Sequence, residues 1–91
     1  MNNRRTQYEI YWEILTFCKT PRPITQIIQR CNLNSKIGQT HLDFLKERGL
    51  LAEIEVNKNR MFKSTEQAAQ FIAFFNKAYR ELFDDSPEFR L

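Results

Sequence analysis

Residues 40–63, THLDFLKERGLLAEIEVNKNRMFK, decide how the chain is read, because an amphipathic helical pattern stops at one glycine and runs straight into two short alternating segments. Leu42, Leu45 and the Leu50-Leu51 pair supply a side to be buried, and Gly49 stands where a helix needs a left-handed residue after its last turn. Ala52 to Val56 then alternates Ala, Glu, Ile, Glu, Val, the period of a half-exposed strand. Asn57-Lys58-Asn59 makes a polar tip, and Arg60 to Lys63 returns with basic and apolar residues in alternation. Ser64-Thr65-Glu66 closes the segment with the N-cap signal of another helix.

Upstream, the pattern predicts a first helix over about Thr6 to Lys19, with Ile10, Ile14, Leu15 and Cys18 on one face and Tyr11 and Trp12 flanking it. Thr20-Pro21-Arg22-Pro23 breaks it, since proline lacks an N–H and disfavours helical geometry in the residue before it. Pro23-Ile24 is expected to be a minimal extended piece against the hairpin. A short second helix, Thr25 to Cys31, leads into Asn32-Leu33-Asn34. There Asn32 takes the left-handed conformation, Leu33 turns inward, and Asn34 or Ser35 caps a third helix that runs to Arg48. Downstream, a fourth helix is expected from Glu66 to Phe83, about 27 Å long at 1.5 Å per residue. Its apolar residues, at 68, 71, 72, 75, 78, 79, 82 and 83, come close to a heptad seam before Asp84-Asp85-Ser86-Pro87 ends it.

The expected fold is therefore mainly α with a small β-hairpin, in the order α-(β)-α-α-β-β-α, which is the connectivity of a winged helix. Ninety-one residues support one core. Within that single domain, residues 1–65 form the helix-turn-helix with its wing and residues 66–91 the last helix and tail. Eight Phe, three Tyr and one Trp are many for this size, so part of the apolar surface is expected to meet a second subunit.

The net charge of +3 is unevenly spread: residues 1–63 hold eleven Lys/Arg against six Asp/Glu, and residues 64–91 hold three against five. A basic front suits a polyanion only when a motif accompanies it. Cys18 and Cys31 lie in apolar helical contexts without a Cys-x-x-Cys or Cys/His grouping, so both are read as buried thiols and no metal is expected. His41 falls on the inward side of the third helix and is read as a core-edge residue. No nucleophile–base grouping, acid pair or phosphate-cradling loop is visible, and two glycines exclude a P-loop, so the chain is not expected to be an enzyme or to carry a cofactor. No apolar run is long enough to span a membrane, and the sequence shows no signal peptide; a cytoplasmic protein is expected.

On the third helix, Gly38, His41, Leu42 and Leu45 share one arc, while Ser35, Lys36, Gln39, Thr40 and Asp43 fall on another. The second arc holds residue types that contact base edges and phosphates. Lys58 and Arg60 place two cations on the wing, and Arg4 and Arg5 form a basic arm ahead of the first helix.

Arg4-Arg5, ITQIIQRCNLN at 24–34, HLDFLKERGLL at 41–51 and FKSTEQAAQFI at 62–72 together resemble the archaeal winged helix-turn-helix regulators. The pattern departs from them at Gln67, where a glycine is usual. The resemblance implies double-stranded DNA as partner, transcription regulation as role, and a homodimer joined by a coiled coil of the last helix. On that helix the dimerising residues would be Phe71, Ile72, Phe75, Tyr79, Leu82 and Phe83. Alternatives are an architectural DNA-binding protein of low specificity and a winged-helix protein-interaction module, the latter favoured mildly by Asp43, Glu47, Glu53 and Glu55. No small-molecule ligand is evident.

Overall fold

A computed structural model describes residues 6–81 as four helices and one hairpin. In chain order they are α1 (Gln7–Phe17), α2 (Ile24–Arg30), α3 (Ser35–Glu47), β1 (Leu51–Val56), β2 (Asn59–Ser64) and α4 (Glu66–Tyr79). This is the winged-helix order expected from the sequence.

Local chemistry explains most boundaries. A capping box starts α1: the Thr6 hydroxyl accepts from Glu9 N at 3.1 Å and Thr6 N donates to Glu9 Oε1 at 2.7 Å. Pro23 opens α2 without a side-chain hydrogen bond. Asn32, at φ 56°, makes the left-handed turn between α2 and α3, and Asn34 Oδ1 accepts from Ile37 N at 2.8 Å to cap α3. Gly49 closes α3 at φ 77°, a conformation that side-chain-bearing residues adopt only with strain. Thr65 has two tasks. Its hydroxyl caps α4 by accepting from Ala68 N at 3.3 Å, and it donates to the Gly49 carbonyl at 2.7 Å, which ties the end of α3 to the start of α4.

The core is one cluster. Ile14, Leu15 and Cys18 of the α1 region, Ile27 and Cys31 around α2, Leu42 and Leu45 of α3, Leu51 and Phe62 of the hairpin and Ala68 and Ile72 of α4 converge in it. Both cysteines are buried thiols. Burial pushes the Cys18 thiol up to about 12, with Cys31 adding and Arg22 opposing. His41 is half-buried and meets Tyr11 edge to face, ring centroids 5.3 Å apart.

Three details differ from the sequence reading. The extended piece before α2 falls on Arg22 rather than Pro23-Ile24, because proline has no N–H to give: Arg22 N donates to the Phe62 carbonyl at 3.0 Å and Phe62 N to the Arg22 carbonyl at 2.8 Å. The hairpin tip has two residues, not three. Asn59 pairs with Val56, and Asn57 and Lys58 turn the chain with φ 53° and 68°, both positive as a type I′ turn requires. Regular α-helix in the last element ends at Tyr79, about 21 Å from its start, and residues 80–81 continue as a wider π-type turn. Arg4, Arg5, Leu82 and Phe83 lie outside the described residues.

The faces of the hairpin are set by its register. Leu51 faces Ser64, Glu53 faces Phe62 and Glu55 faces Arg60, so these six residues share one face. At the base Leu51 and Phe62 are buried in the core, whereas toward the tip Glu53, Glu55 and Arg60 are exposed. Ala52, Ile54, Val56 and Met61 occupy the other face and are only half-buried. β1 is the half-exposed strand its alternation predicts, and the face that closes on the core is the one that carries Phe62.

α4 runs along α1. Trp12 lies face to face with Phe75, centroids 5.5 Å apart, and its Nε1 donates to Asn76 Oδ1 at 3.0 Å. Ile72 is 5% exposed and belongs to the chain's own core, not to the free side of α4. Among the described residues no helix is long and apolar enough to cross a membrane, and no cluster of His, Cys, Asp or Glu could hold a metal ion.

Candidate nucleic-acid interface

Helix α3 is seated by a close approach. A Cβ on Gly38 would stand 2.9 Å from Ile28 Cγ1 and 3.3 Å from its Cδ1, so the glycine lets α2 pack directly on the α3 backbone. Gly38, Leu42 and Leu45 face inward and fix which side of α3 remains for solvent. Ser35, Lys36, Thr40 and Asp43 are exposed, as the sequence arc requires, but Gln39 is half-buried. At about 100° per residue the outward direction falls on Thr40 and Glu47, with Lys36 and Asp43 on one side and Phe44 and Ile37 on the other. Gln39 sits at the margin.

Several polar groups of this face are engaged within the helix. Gln39 Nε2 donates to Asp43 Oδ1 at 2.9 Å, and the Thr40 hydroxyl donates to the Lys36 carbonyl at 3.0 Å. The first contact partly satisfies the Asp43 carboxylate. It engages one of the two Gln39 amide hydrogens and leaves the other, with Oε1, free for a base edge.

An ionic chain joins α3 to the wing. Lys46 Nζ lies 2.7 Å from Glu53 Oε1, and Arg60 Nε lies 2.8 Å from Glu53 Oε2. The Lys46 hydrogen bond holds the Glu53 carboxyl below the usual carboxylate range; desolvation opposes it and Arg60 reinforces it. Arg60 therefore shares its charge with Glu53, and its guanidinium also stacks 5.7 Å from the Phe62 ring. Lys58 stands at the tip, exposed, and no carboxylate among the described residues pairs with it.

Two exposed apolar residues on α3 escape the sequence reading, Ile37 at 47% and Phe44 at 39% exposure. Phe44 is braced by Tyr11, rings stacked at 5.3 Å, and by the Arg48 guanidinium 5.6 Å above it. The signal that could have found them is the helical wheel drawn from Gly38, Leu42 and Leu45 alone, without His41. On α4 the largest exposed apolar side chain is Phe74, at 74%. Gln67, where the resemblance leads one to expect glycine, lies beside Gly49, whose hypothetical Cβ would be 3.2 Å from Gln67 Oε1.

Residues 4–82 match the winged helix-turn-helix family model. No curated protein sequence matches the chain. Among solved structures, it is similar to Sso10a-2, described as a DNA-binding protein from Sulfolobus solfataricus, at 26% identity over 96% of this chain and 99% of that one, with a TM-score of 0.64. The transcriptional regulator BldR of the same organism superposes with a TM-score of 0.78 at 19% identity, over 90% of this chain and 62% of BldR. A homodimeric winged helix-turn-helix domain of Mb0332 from Mycobacterium bovis, a possible ArsR-family regulator, gives 0.66 at 15% identity, over 89% and 92% of the two chains. The last two likenesses establish the fold alone.

Proposed function

The chain belongs to the winged helix-turn-helix family, and from that premise we propose that it binds double-stranded DNA as a homodimeric, non-enzymatic transcription regulator acting inside the cell. The observation that carries this reading is the Lys46–Glu53–Arg60 chain, which ties α3 to the wing. In this reading the first turns of α3 enter the major groove, where the N-terminal residues of such helices meet base edges. Ser35, Lys36, Thr40 and Asp43 lie at the groove floor and walls, with Gln39 at the margin. The wing lies along the backbone. Lys58 supplies its free charge and Arg60 a charge moderated by Glu53. Arg4 and Arg5 add phosphate contacts from the arm. The 26% identity to Sso10a-2 over nearly the full length of both chains supports DNA as the ligand.

Dimerisation through α4 uses a different edge of the helix from the one that faces α1. Ala68, Ile72, Phe75 and Tyr79 follow a four-three-four spacing turned toward the protomer's own core. Gln67, Phe71, Phe74 and Ala78 repeat the same spacing one residue earlier, on the adjoining edge. The second seam contains the exposed Phe74 and the half-buried Phe71 and Ala78, and it is the one available to a partner.

The test is an equilibrium titration of fluorescent duplex DNA with the wild type, Lys36→Ala and Lys58→Ala. Each variant is expected to weaken binding to all sequences alike and to reduce the salt slope by about one unit. Unchanged affinity and slope in both would remove DNA from this surface and favour a protein partner, for which the exposed Ile37 and Phe44 offer apolar contact.

A further inference from the structure

Two polar side chains of α3, Gln39 and Thr40, are partly engaged within the helix itself. Gln39 gives one of its two amide hydrogens to Asp43 and is half-buried, and Thr40 gives its only hydroxyl hydrogen to the Lys36 carbonyl. With its hydroxyl turned to the backbone, what Thr40 offers at the surface is its methyl group. One turn away, three residues earlier on the same side of the helix, Ile37 holds a branched aliphatic side chain at 47% exposure. It is the third residue of α3, and its own amide is bound by the Asn34 cap at 2.8 Å, so the backbone that carries it is fixed.

An exposed isoleucine in the first turn of a capped helix gains nothing from water, and neighbouring Lys36 favours approach to a polyanion. In the major groove the one apolar feature of the base edges is the C5 methyl of thymine, and aliphatic or Thr methyl groups are its ordinary partners. We infer that Ile37, with the Thr40 methyl beside it, is a specificity-determining contact for a 5-methylpyrimidine, reading thymine by its methyl rather than by hydrogen bonds. This inference rests on the DNA-binding reading above and goes further by naming the chemical group recognised.

Deoxyuridine lacks only that methyl, so the test is a uridine scan. The duplex selected from a random pool by the wild-type dimer is remade with each thymine in turn replaced by uracil, and affinities are measured for wild type and Ile37→Ala. Wild type is expected to lose about fourfold at one thymine per half-site, the worth of one buried methyl. Ile37→Ala should bind the thymine and uracil duplexes alike at that position. The variant carries an exposed substitution, and an unchanged melting curve verifies its fold.

A flat scan with wild type, or a selected site without a required thymine, overturns the inference while leaving DNA binding intact. A uracil penalty that persists in Ile37→Ala also overturns it, as does a change in molecular mass that would assign Ile37 to a protein interface. Failure to bind any duplex at low salt sinks the underlying reading together with it.

Discussion

The indole of Trp12 and the ring of Phe75 lie face to face, centroids 5.5 Å apart and planes 19° from parallel, with Trp12 Nε1 bonded to Asn76 Oδ1. The relationship settles which edge of α4 is occupied within the protomer. Tyr79 extends the stack from Phe75 at 6.3 Å and Phe71 adjoins it at 6.0 Å, so the aromatic series that reads in sequence as an intersubunit stripe begins on α1 of its own chain.

Two aspartate substitutions one residue apart should therefore behave differently. Phe75→Asp removes the Trp12 stack and places a charge beside α1; it is expected to lower unfolding stability by about 2 kcal/mol. Phe74→Asp should leave thermal stability of the protomer near wild type and halve the mass measured by light scattering. If Phe75→Asp dissociates the protein without changing its melt, the assignment of the two edges is reversed.

Gly38 offers a test of the α2–α3 approach. Alanine is favoured over glycine in a helix by about 1 kcal/mol, yet here its methyl would meet Ile28 Cγ1 at 2.9 Å. Overpacking costs about 1–3 kcal/mol, so Gly38→Ala should destabilise by about 1 kcal/mol in denaturant unfolding. The cost added by Gly38→Ala should vanish in an Ile28→Ala background, where both Cγ1 and Cδ1 are gone.

Lys58 sits in a left-handed conformation, φ 68°, that glycine adopts without strain. Lys58→Gly is thus expected to raise stability by up to about 1 kcal/mol while weakening DNA binding. Stability and affinity should move in opposite directions. A variant that is both more stable and an equal binder would show that the tip charge has no part in function.

How much of this was legible beforehand follows from the range of the forces involved. The turn at Asn32, the cap at Asn34, the stop at Gly49 and the start at Thr65 were readable because each depends on a few neighbouring residues and one hydrogen bond or one φ value. The outward direction of α3 was not. It is set by Ile28 arriving against Gly38 from another helix, which moves Gln39 to the margin and leaves Ile37 and Phe44 outside. The inward edge of α4 likewise depends on Trp12, more than sixty residues earlier. Alternation in β1 marks a half-exposed strand, but which face closes on the core depends on Phe62 of β2, with Leu51 following by register.

His41 should lend the fold a modest pH dependence. Its partial burial lowers its pKa below the ordinary 6.5, so the unfolded chain takes up a proton first as pH falls. Stability is then full above about pH 6.5 and declines as pH drops through that value toward the lower folded pKa. Denaturant midpoints between pH 7.5 and 5.5 should show this decline, and His41→Phe should reduce it. An equal slope in the variant would assign the dependence to other groups.

The central claim is that α3 and the wing form a sequence-reading surface for duplex DNA, and selection from a random duplex pool followed by a salt titration tests it most directly. The winning duplex should be bound at least about a thousandfold more tightly than random duplex at physiological salt, with affinity for both falling steeply as salt rises. No binding to any duplex at low salt would contradict the claim outright. A steep salt dependence with equal affinity for winner and random duplex would contradict sequence reading and leave an architectural coat on DNA.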